Sequence, residues 1–104
     1  VTVYVDEFPY TGWGKWCGGA HMLGTDIDEL HEMAKKIGLR RSWFQDSTFP
    51  HYDLTKSKRL KALAEGATEV ELGELPDDVL MRRSNGTYES RRDRIARRKS
   101  EGRM

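Results

Sequence analysis

Trp43-Phe44-Gln45-Asp46-Ser47-Thr48-Phe49-Pro50-His51-Tyr52-Asp53-Leu54-Thr55-Lys56-Ser57-Lys58-Arg59-Leu60-Lys61-Ala62-Leu63-Ala64-Glu65-Gly66-Ala67 is the stretch that decides how this chain folds. Its aromatic opening, Ser42 to Gln45, reads as a strand. A short loop over residues 46–53 follows. Thr55 or Asp53 then caps a cationic helix whose apolar side is Leu60, Leu63, Ala64 and Ala67, and Gly66 ends it. The loop delivers His51, Tyr52 and Asp53 to the helix start, where free backbone N–H groups and the helix dipole favour an anion.

Working outward, the segment upstream carries a second helical pattern. Asp26 caps it, with Glu29 three residues later in a capping-box arrangement. Ile27, Leu30, Ala34 and Ile37 make one apolar stripe, and Gly38 closes the helix. Thr2 to Asp6 is β-branched and aromatic and reads as a first strand; Ala20 to Leu23 reads as a second short extended segment, and Thr68 to Leu72 as a last one. Between Phe8 and Gly19 lies a loop with four glycines around Trp13 and Trp16. Leu75 to Arg83 reads as a short helix started by Pro76, and Asn85-Gly86 as a turn. Strands alternating with helices predict an α/β fold: a small single-domain sandwich with a mostly parallel short sheet and two main helices. Residues 1–83 form the compact domain, and residues 84–104 a basic tail that is mobile or partly helical. Ligands of such sheets lie beyond the C-terminal strand ends. That rule gathers Asp6, Gln45 and the His51–Asp53 segment on one edge.

Composition bounds the rest. The chain has 104 residues, 34% charged and 37% hydrophobic, enough for one small core. No apolar run approaches the roughly 20 residues that a membrane span needs. Thr2 to Asp6 is too short and lacks the basic start of a secretory signal. The single cysteine, Cys17, cannot form an internal disulfide, so a cytoplasmic location is expected. The net charge of +1 conceals an asymmetry. Arg91, Arg92, Arg94, Arg97, Arg98, Lys99 and Arg103 face only Asp93 and Glu101 in residues 90–104, a net +5, which leaves −4 on residues 1–89. The tail is therefore a candidate for nucleic acid or another polyanion, with a solvated tail as the alternative.

These segments together resemble the small bacterial and phage family catalogued as domain of unknown function 4031. The resemblance rests on Val3-Tyr4-Val5-Asp6, His21-Met22-Leu23, Asp26, Glu29-Leu30-His31, Gly38-Leu39 and Trp43-Phe44-Gln45. It continues through Pro50-His51-Tyr52-Asp53, Ser57-Lys58-Arg59 and Gly66-Ala67, covering about residues 2 to 72. It implies a domain and a set of site residues but no reaction, and the segment after about residue 84 departs from it.

The chemistry is read from side chains. In an extended segment His51 and Asp53 point the same way, so a carboxylate can orient an imidazole that exchanges protons near neutral pH. The alternative is a loop packed by Tyr52 with Asp53 as a helix cap. Arg59 has the planar fork that grips phosphate, and Ser57 and the helix start offer further donors; Lys56, Lys58 and Lys61 read as a solvated face. Trp13 and Trp16 suit either a lid stacking on a ring or burial over a small core; the glycines around them match neither a dinucleotide nor a Walker pattern. His21, His31, His51, Cys17, Asp6 and Asp53 are all potential metal ligands, but none has a recognised ligand spacing. No metal is expected in the site or needed for folding, and His31 is expected to be a half-buried structural residue. The leading expectation is a protein that binds a phosphorylated or nucleotide-like small molecule. Trp13 and Trp16 would cover its ring, Ser57 and Arg59 would hold its anion, and His21, Gln45, His51 and Tyr52 would set specificity. Hydrolysis or transfer in the same pocket is the enzymatic alternative, with His51 as base and Asp53 or Asp6 as orienter or metal ligand. An interaction protein acting through its basic tail is the third.

Overall fold

The computed structural model describes residues 2–6, 20–71 and 75–101. The glycine-rich segment with Trp13, Trp16 and Cys17 lies outside the described residues, as does Leu72. Four strands make the main sheet: β1 (Val3–Val5), β2 (Ala20–Gly24), β3 (Tyr52–Leu54) and β4 (Thr68–Glu69), in the order β3-β2-β1-β4. Helix α1 (Ile27–Lys36) follows β2, and α2 (Lys56–Ala64) lies between β3 and β4. A hairpin of β5 (Leu80–Arg82) and β6 (Tyr88–Ser90) then leads into α3 (Arg91–Glu101).

The fold is α/β, as expected, but the sheet is mixed rather than mostly parallel. β1 and β2 pair antiparallel, as do β2 and β3; only β1 and β4 are parallel. The reason lies between α1 and β3. A helix that returned the chain directly would deliver β3 parallel to β2. Here residues 38–50 carry it the length of the sheet once more, so β3 starts from the opposite end. Among the described residues the one crossover of the β-α-β kind is β3-α2-β4, which steps over β2 and β1 to lay β4 beside β1.

Strand alternation divides the sheet into two faces. Val5, Met22 and Tyr52 are in register on one face, with Val3, Ala20 and Leu54 beside them, all buried. Both helices contribute to this same cluster, through Leu30, Ala34 and Ile37 from the α1 segment and Ala62 from α2. The opposite face carries Tyr4, Leu23, His21 and Asp53. The segment before β5 reaches it, and the Tyr4 hydroxyl donates to Asp78 at 3.0 Å.

α1 forms as its pattern predicts. Asp26 accepts from the Glu29 amide at 2.9 Å, and Gly38 supplies the positive φ of 88° that ends the helix. α2 is capped by Thr55, which accepts from the Lys58 amide at 3.3 Å, so Asp53 is not a cap. Its expected apolar side is corrected: Leu60 is 55% exposed and Ala64 is exposed, whereas Ala62 is fully buried. The helix is turned by two cations. Lys58 donates to the Ile37 carbonyl at the end of α1 at 2.9 Å, and Arg59 to the Asp6 carbonyl at 3.0 Å. Lys58, Arg59, Ala62 and Leu63 share one face at helical spacing, so Leu60 is rotated out to solvent.

Two further expectations change. Ser42 to Gln45 is not a strand: Arg41–Trp43 is one turn of 3-10 helix, after which Gln45 and His51 form an isolated antiparallel bridge. Leu75 to Arg83 is not a helix but holds β5, and the Asn85-Gly86 turn closes the hairpin, with φ 86° at Gly86. The expected boundary after residue 83 therefore falls inside a hairpin. Glu89 on β6 anchors α3 through Arg94 at 3.0 Å and Arg97 at 2.8 Å. No helix among the described residues is long and apolar enough to cross a membrane.

Candidate functional site

The site grows from the outer face of the first three strands. Asp6 follows β1 directly and is only 3% exposed. Its Oδ1 accepts from the His21 amide at 2.7 Å, and its Oδ2 lies 2.8 Å from His21 Nδ1. Its own amide donates to the His21 carbonyl at 3.1 Å. Asp6 is thus locked to β2 by main chain and side chain together. Across β2, His21 stands directly opposite Asp53 on β3, so strand pairing alone sets Asp6, His21 and Asp53 in a row.

His51 joins them by the two-residue period of an extended chain. It precedes Asp53 by two positions, and its Nε2 lies 3.4 Å from Asp53 Oδ1. His21 Nε2 lies 3.7 Å from the same oxygen. The two imidazole rings meet edge to face with centroids 5.3 Å apart. His51 Nδ1 is 2.7 Å from the Phe49 carbonyl, which as a pure acceptor fixes the proton on that nitrogen. Asp6 does the same for His21. Each neutral ring thereby carries its lone pair on Nε2, toward Asp53. Gln45 donates to the other Asp53 oxygen, and the Gln45–His51 bridge holds this corner of the loop at 2.9 and 3.1 Å. Hydrogen bonding to Asp6 raises the His21 pKa above its ordinary value against the opposing effect of burial, with the charges of Asp6 and Asp53 adding to the rise.

Beside this cluster opens a cleft of about 380 Å³, lined by Asp6, His21, Leu23, Ser47, Thr48, Phe49, His51 and Leu75. Its lining combines hydroxyls, imidazoles and a carboxylate with the apolar side chains Leu23, Phe49 and Leu75. Arg91 donates to the Leu75 carbonyl at 3.0 Å, so α3 starts near this wall. On the far side, Arg82 donates its amide to the Thr48 carbonyl at 2.9 Å, and both Arg82 and Tyr88 donate to Asp46, at 3.2 and 2.9 Å. The β5-β6 hairpin therefore braces the loop that carries Ser47 to His51.

Among the expected site residues, His21, Gln45, His51 and Asp53 come together. Tyr52 does not join them. The same alternation that aligns His51 with Asp53 turns Tyr52 to the helix side, where it is fully buried and shares a 2.8 Å hydrogen bond with His31 Nδ1. His31 also packs edge-on to Phe44, with centroids 4.6 Å apart, and burial with the nearby Arg41 charge lowers its pKa. Arg59 is not a free phosphate fork: its guanidinium is engaged by the Asp6 carbonyl and the Glu69 carboxylate. Ser57 is exposed on α2, 3.2 Å from the Thr55 hydroxyl. Trp13 and Trp16 lie outside the described residues. The lining residues Leu23, Ser47, Thr48, Phe49 and Leu75 were not anticipated, since nothing local marks them.

Sequence spacing carries no metal signal, yet the fold gathers three potential ligands, two imidazoles and one carboxylate. One ligand atom each from His21, His51 and Asp53 lies within 4.8 Å of the others. The cluster can accept a proton, donate one, or hold a cation. The family model described as Protein of unknown function (DUF4031) matches residues 3–82, a span that contains every residue of the cluster. Comparison with curated proteins and with solved structures returns no significant match.

Proposed function

The chain belongs to the DUF4031 family, and from that premise and the geometry of the cluster we propose that it is a small cytoplasmic hydrolase acting on a phosphorylated or nucleotide-like molecule bound in the cleft. The observation that carries this reading is the convergence of two orientation-locked imidazoles of the cleft wall on one neighbouring carboxylate, Asp53. A Nε2 lone pair either takes a proton from water or binds an electrophilic ion, and both make water a nucleophile. Locking each ring through Nδ1 removes the reorientation that would otherwise precede the step. The apolar walls at Leu23, Phe49 and Leu75 suit the organic part of a substrate, and the hydroxyls of Ser47 and Thr48 suit an oxyanion. Arg59, engaged by Glu69 and the Asp6 carbonyl, does not offer the free anion fork on which a binding-only reading would rest.

The test is turnover by the full chain, purified without chelator, on p-nitrophenyl phosphate, bis-p-nitrophenyl phosphate and nucleoside mono-, di- and triphosphates. Hydrolysis of at least one class is expected, with a loss of 100-fold or more in kcat/KM for His51→Ala, on the order of what acid–base and metal-assisted groups contribute. Absence of turnover across the panel by folded protein, or full activity in His51→Ala, refutes the reading. A second reading is binding of nucleic acid through residues 90–104. Arg92, Arg98 and Lys99 are exposed on α3 and support it, and a salt-dependent gel shift abolished by truncation at residue 90 is its test.

A further inference from the structure

Resting on the assignment of the cleft as the reacting centre, we propose that His21, His51 and Asp53 bind one divalent transition-metal ion of the zinc class, through His21 Nε2, His51 Nε2 and a carboxylate oxygen of Asp53.

The distances separate this from a hydrogen-bond cluster. The contacts behind the rings, 2.8 Å at Asp6 and 2.7 Å at Phe49, are hydrogen bonds. Those in front, 3.7 and 3.4 Å to the same Asp53 oxygen, are longer than the usual hydrogen-bond range. They are close to a coordination edge: metal–ligand bonds of about 2.0–2.1 Å at tetrahedral angles set neighbouring ligand atoms roughly 3.3 Å apart. Closing these two edges by a few tenths of an ångström and drawing the two imidazole nitrogens together, from within 4.8 Å, completes the set.

The surroundings are those that metal-ligating histidines require. Each ring donates its remote N–H to an oxygen, a carboxylate for His21 and a main-chain carbonyl for His51, which fixes the tautomer and increases ligand basicity. The third ligand, Asp53, has its second oxygen held by Gln45. Asp6 is itself fixed at its carbonyl by Arg59. Charge favours the same conclusion. Asp6 lines a cleft proposed to take an anionic substrate, Asp53 stands against the two lining imidazoles, and a dication there offsets both carboxylates. Two imidazoles and one carboxylate select zinc, cobalt, iron or nickel over magnesium or calcium, which prefer all-oxygen sets. Three protein ligands leave open positions for water and substrate, the arrangement of a catalytic rather than a structural site. A coordinated water there is acidified toward neutrality.

The experiment uses untagged full-length chain, stripped with chelator and dialysed. Titration with Co(II) should develop the visible bands of a four- or five-coordinate ion, saturating at one equivalent and bleached by one equivalent of Zn(II). Calorimetry with zinc chloride should give the same stoichiometry. His51→Ala and Asp53→Asn should each weaken zinc at least 100-fold while retaining native circular dichroism. His21→Ala is avoided as the deciding variant because it strands the buried Asp6. Folded wild-type protein that binds no stoichiometric metal, or one-site binding unchanged in both His51→Ala and Asp53→Asn, overturns the proposal. Stoichiometric binding without turnover upholds the metal site and removes the hydrolase reading. Chelator-resistant turnover without metal binding does the reverse.

Discussion

Asp6→Asn probes the site with one atom. The buried carboxylate accepts two N–H groups from His21, the amide at 2.7 Å and Nδ1 at 2.8 Å. An asparagine of the same shape keeps its oxygen for one of them. Its NH₂ group then faces the other donor. If the oxygen stays on the amide, the NH₂ meets Nδ1–H, and the imidazole must move its proton to Nε2 to become an acceptor. The lone pair is thereby withdrawn from the Asp53 side. One charge-assisted hydrogen bond becomes a neutral one and the other is inverted, a cost of about 1.5–3 kcal/mol. For a domain of this size that lowers Tm by on the order of 10 °C. Zinc affinity should fall roughly 10- to 100-fold, the usual effect of removing a partner behind a ligating histidine. Urea denaturation gives the stability change, calorimetry the affinity, and ¹⁵N chemical shifts of the imidazole report which nitrogen carries the proton. An Asp6→Asn protein with unchanged tautomer and unchanged zinc affinity would refute the reasoning, because Asp6 would then be a mere strand tie.

Further outcomes follow from other parts of the molecule. Leu30→Ala, at 1% exposure, should lose about 2–5 kcal/mol in urea denaturation, whereas Leu60→Ala, at 55%, should change stability by no more than about 0.5 kcal/mol; equal losses would show that the rotation of α2 is wrong. Arg59→Lys should restore only part of what Arg59→Ala loses in thermal stability, since an ammonium cannot engage the Asp6 carbonyl and Glu69 with one planar fork; full rescue contradicts the bidentate tie. Glu89, hydrogen-bonded by Arg97 and Arg94, has its pKa lowered to about 2. A depressed carboxylate stabilises the fold above its unfolded value near 4.5 and loses that contribution as pH falls toward 2, so α3 amide protection in hydrogen exchange should fall across that window and be pH-independent there in Glu89→Gln. Chelator should leave the apo chain folded, because α1, α2 and the sheet share one apolar cluster, while zinc at 100 times its Kd should add about 2.7 kcal/mol; unfolding on metal removal would show that the core alone is insufficient.

What the sequence determined by itself was local. The cap at Asp26, the stripe Leu30–Ala34–Ile37 and the stop at Gly38 all lie within residues 26–38, and helix α1 follows from them. The alternation of His51 and Asp53 is likewise a property of a short extended stretch, and it survives although Asp53 lies in β3 and His51 in the bridge just before it. The strand positions at Val3–Val5 and Ala20–Gly24 were legible for the same reason. Strand direction was not, because it depends on how often residues 38–50 cross the sheet. Neither was the face of α2: its apolar pattern is weak, and ties from Lys58 to Ile37 and from Arg59 to Asp6, between residues 21 and 53 apart, outweigh it. The same holds at the centre of the site. His21 and Asp53 become neighbours only through the pairing of β2 with β3, and Asp6 reaches His21 only through β1 with β2. Such pairings carry no sequence period, so a motif search sees scattered histidines and acids. Only the tertiary structure, by pairing β1 with β2 and β2 with β3, brings two imidazoles and a carboxylate together.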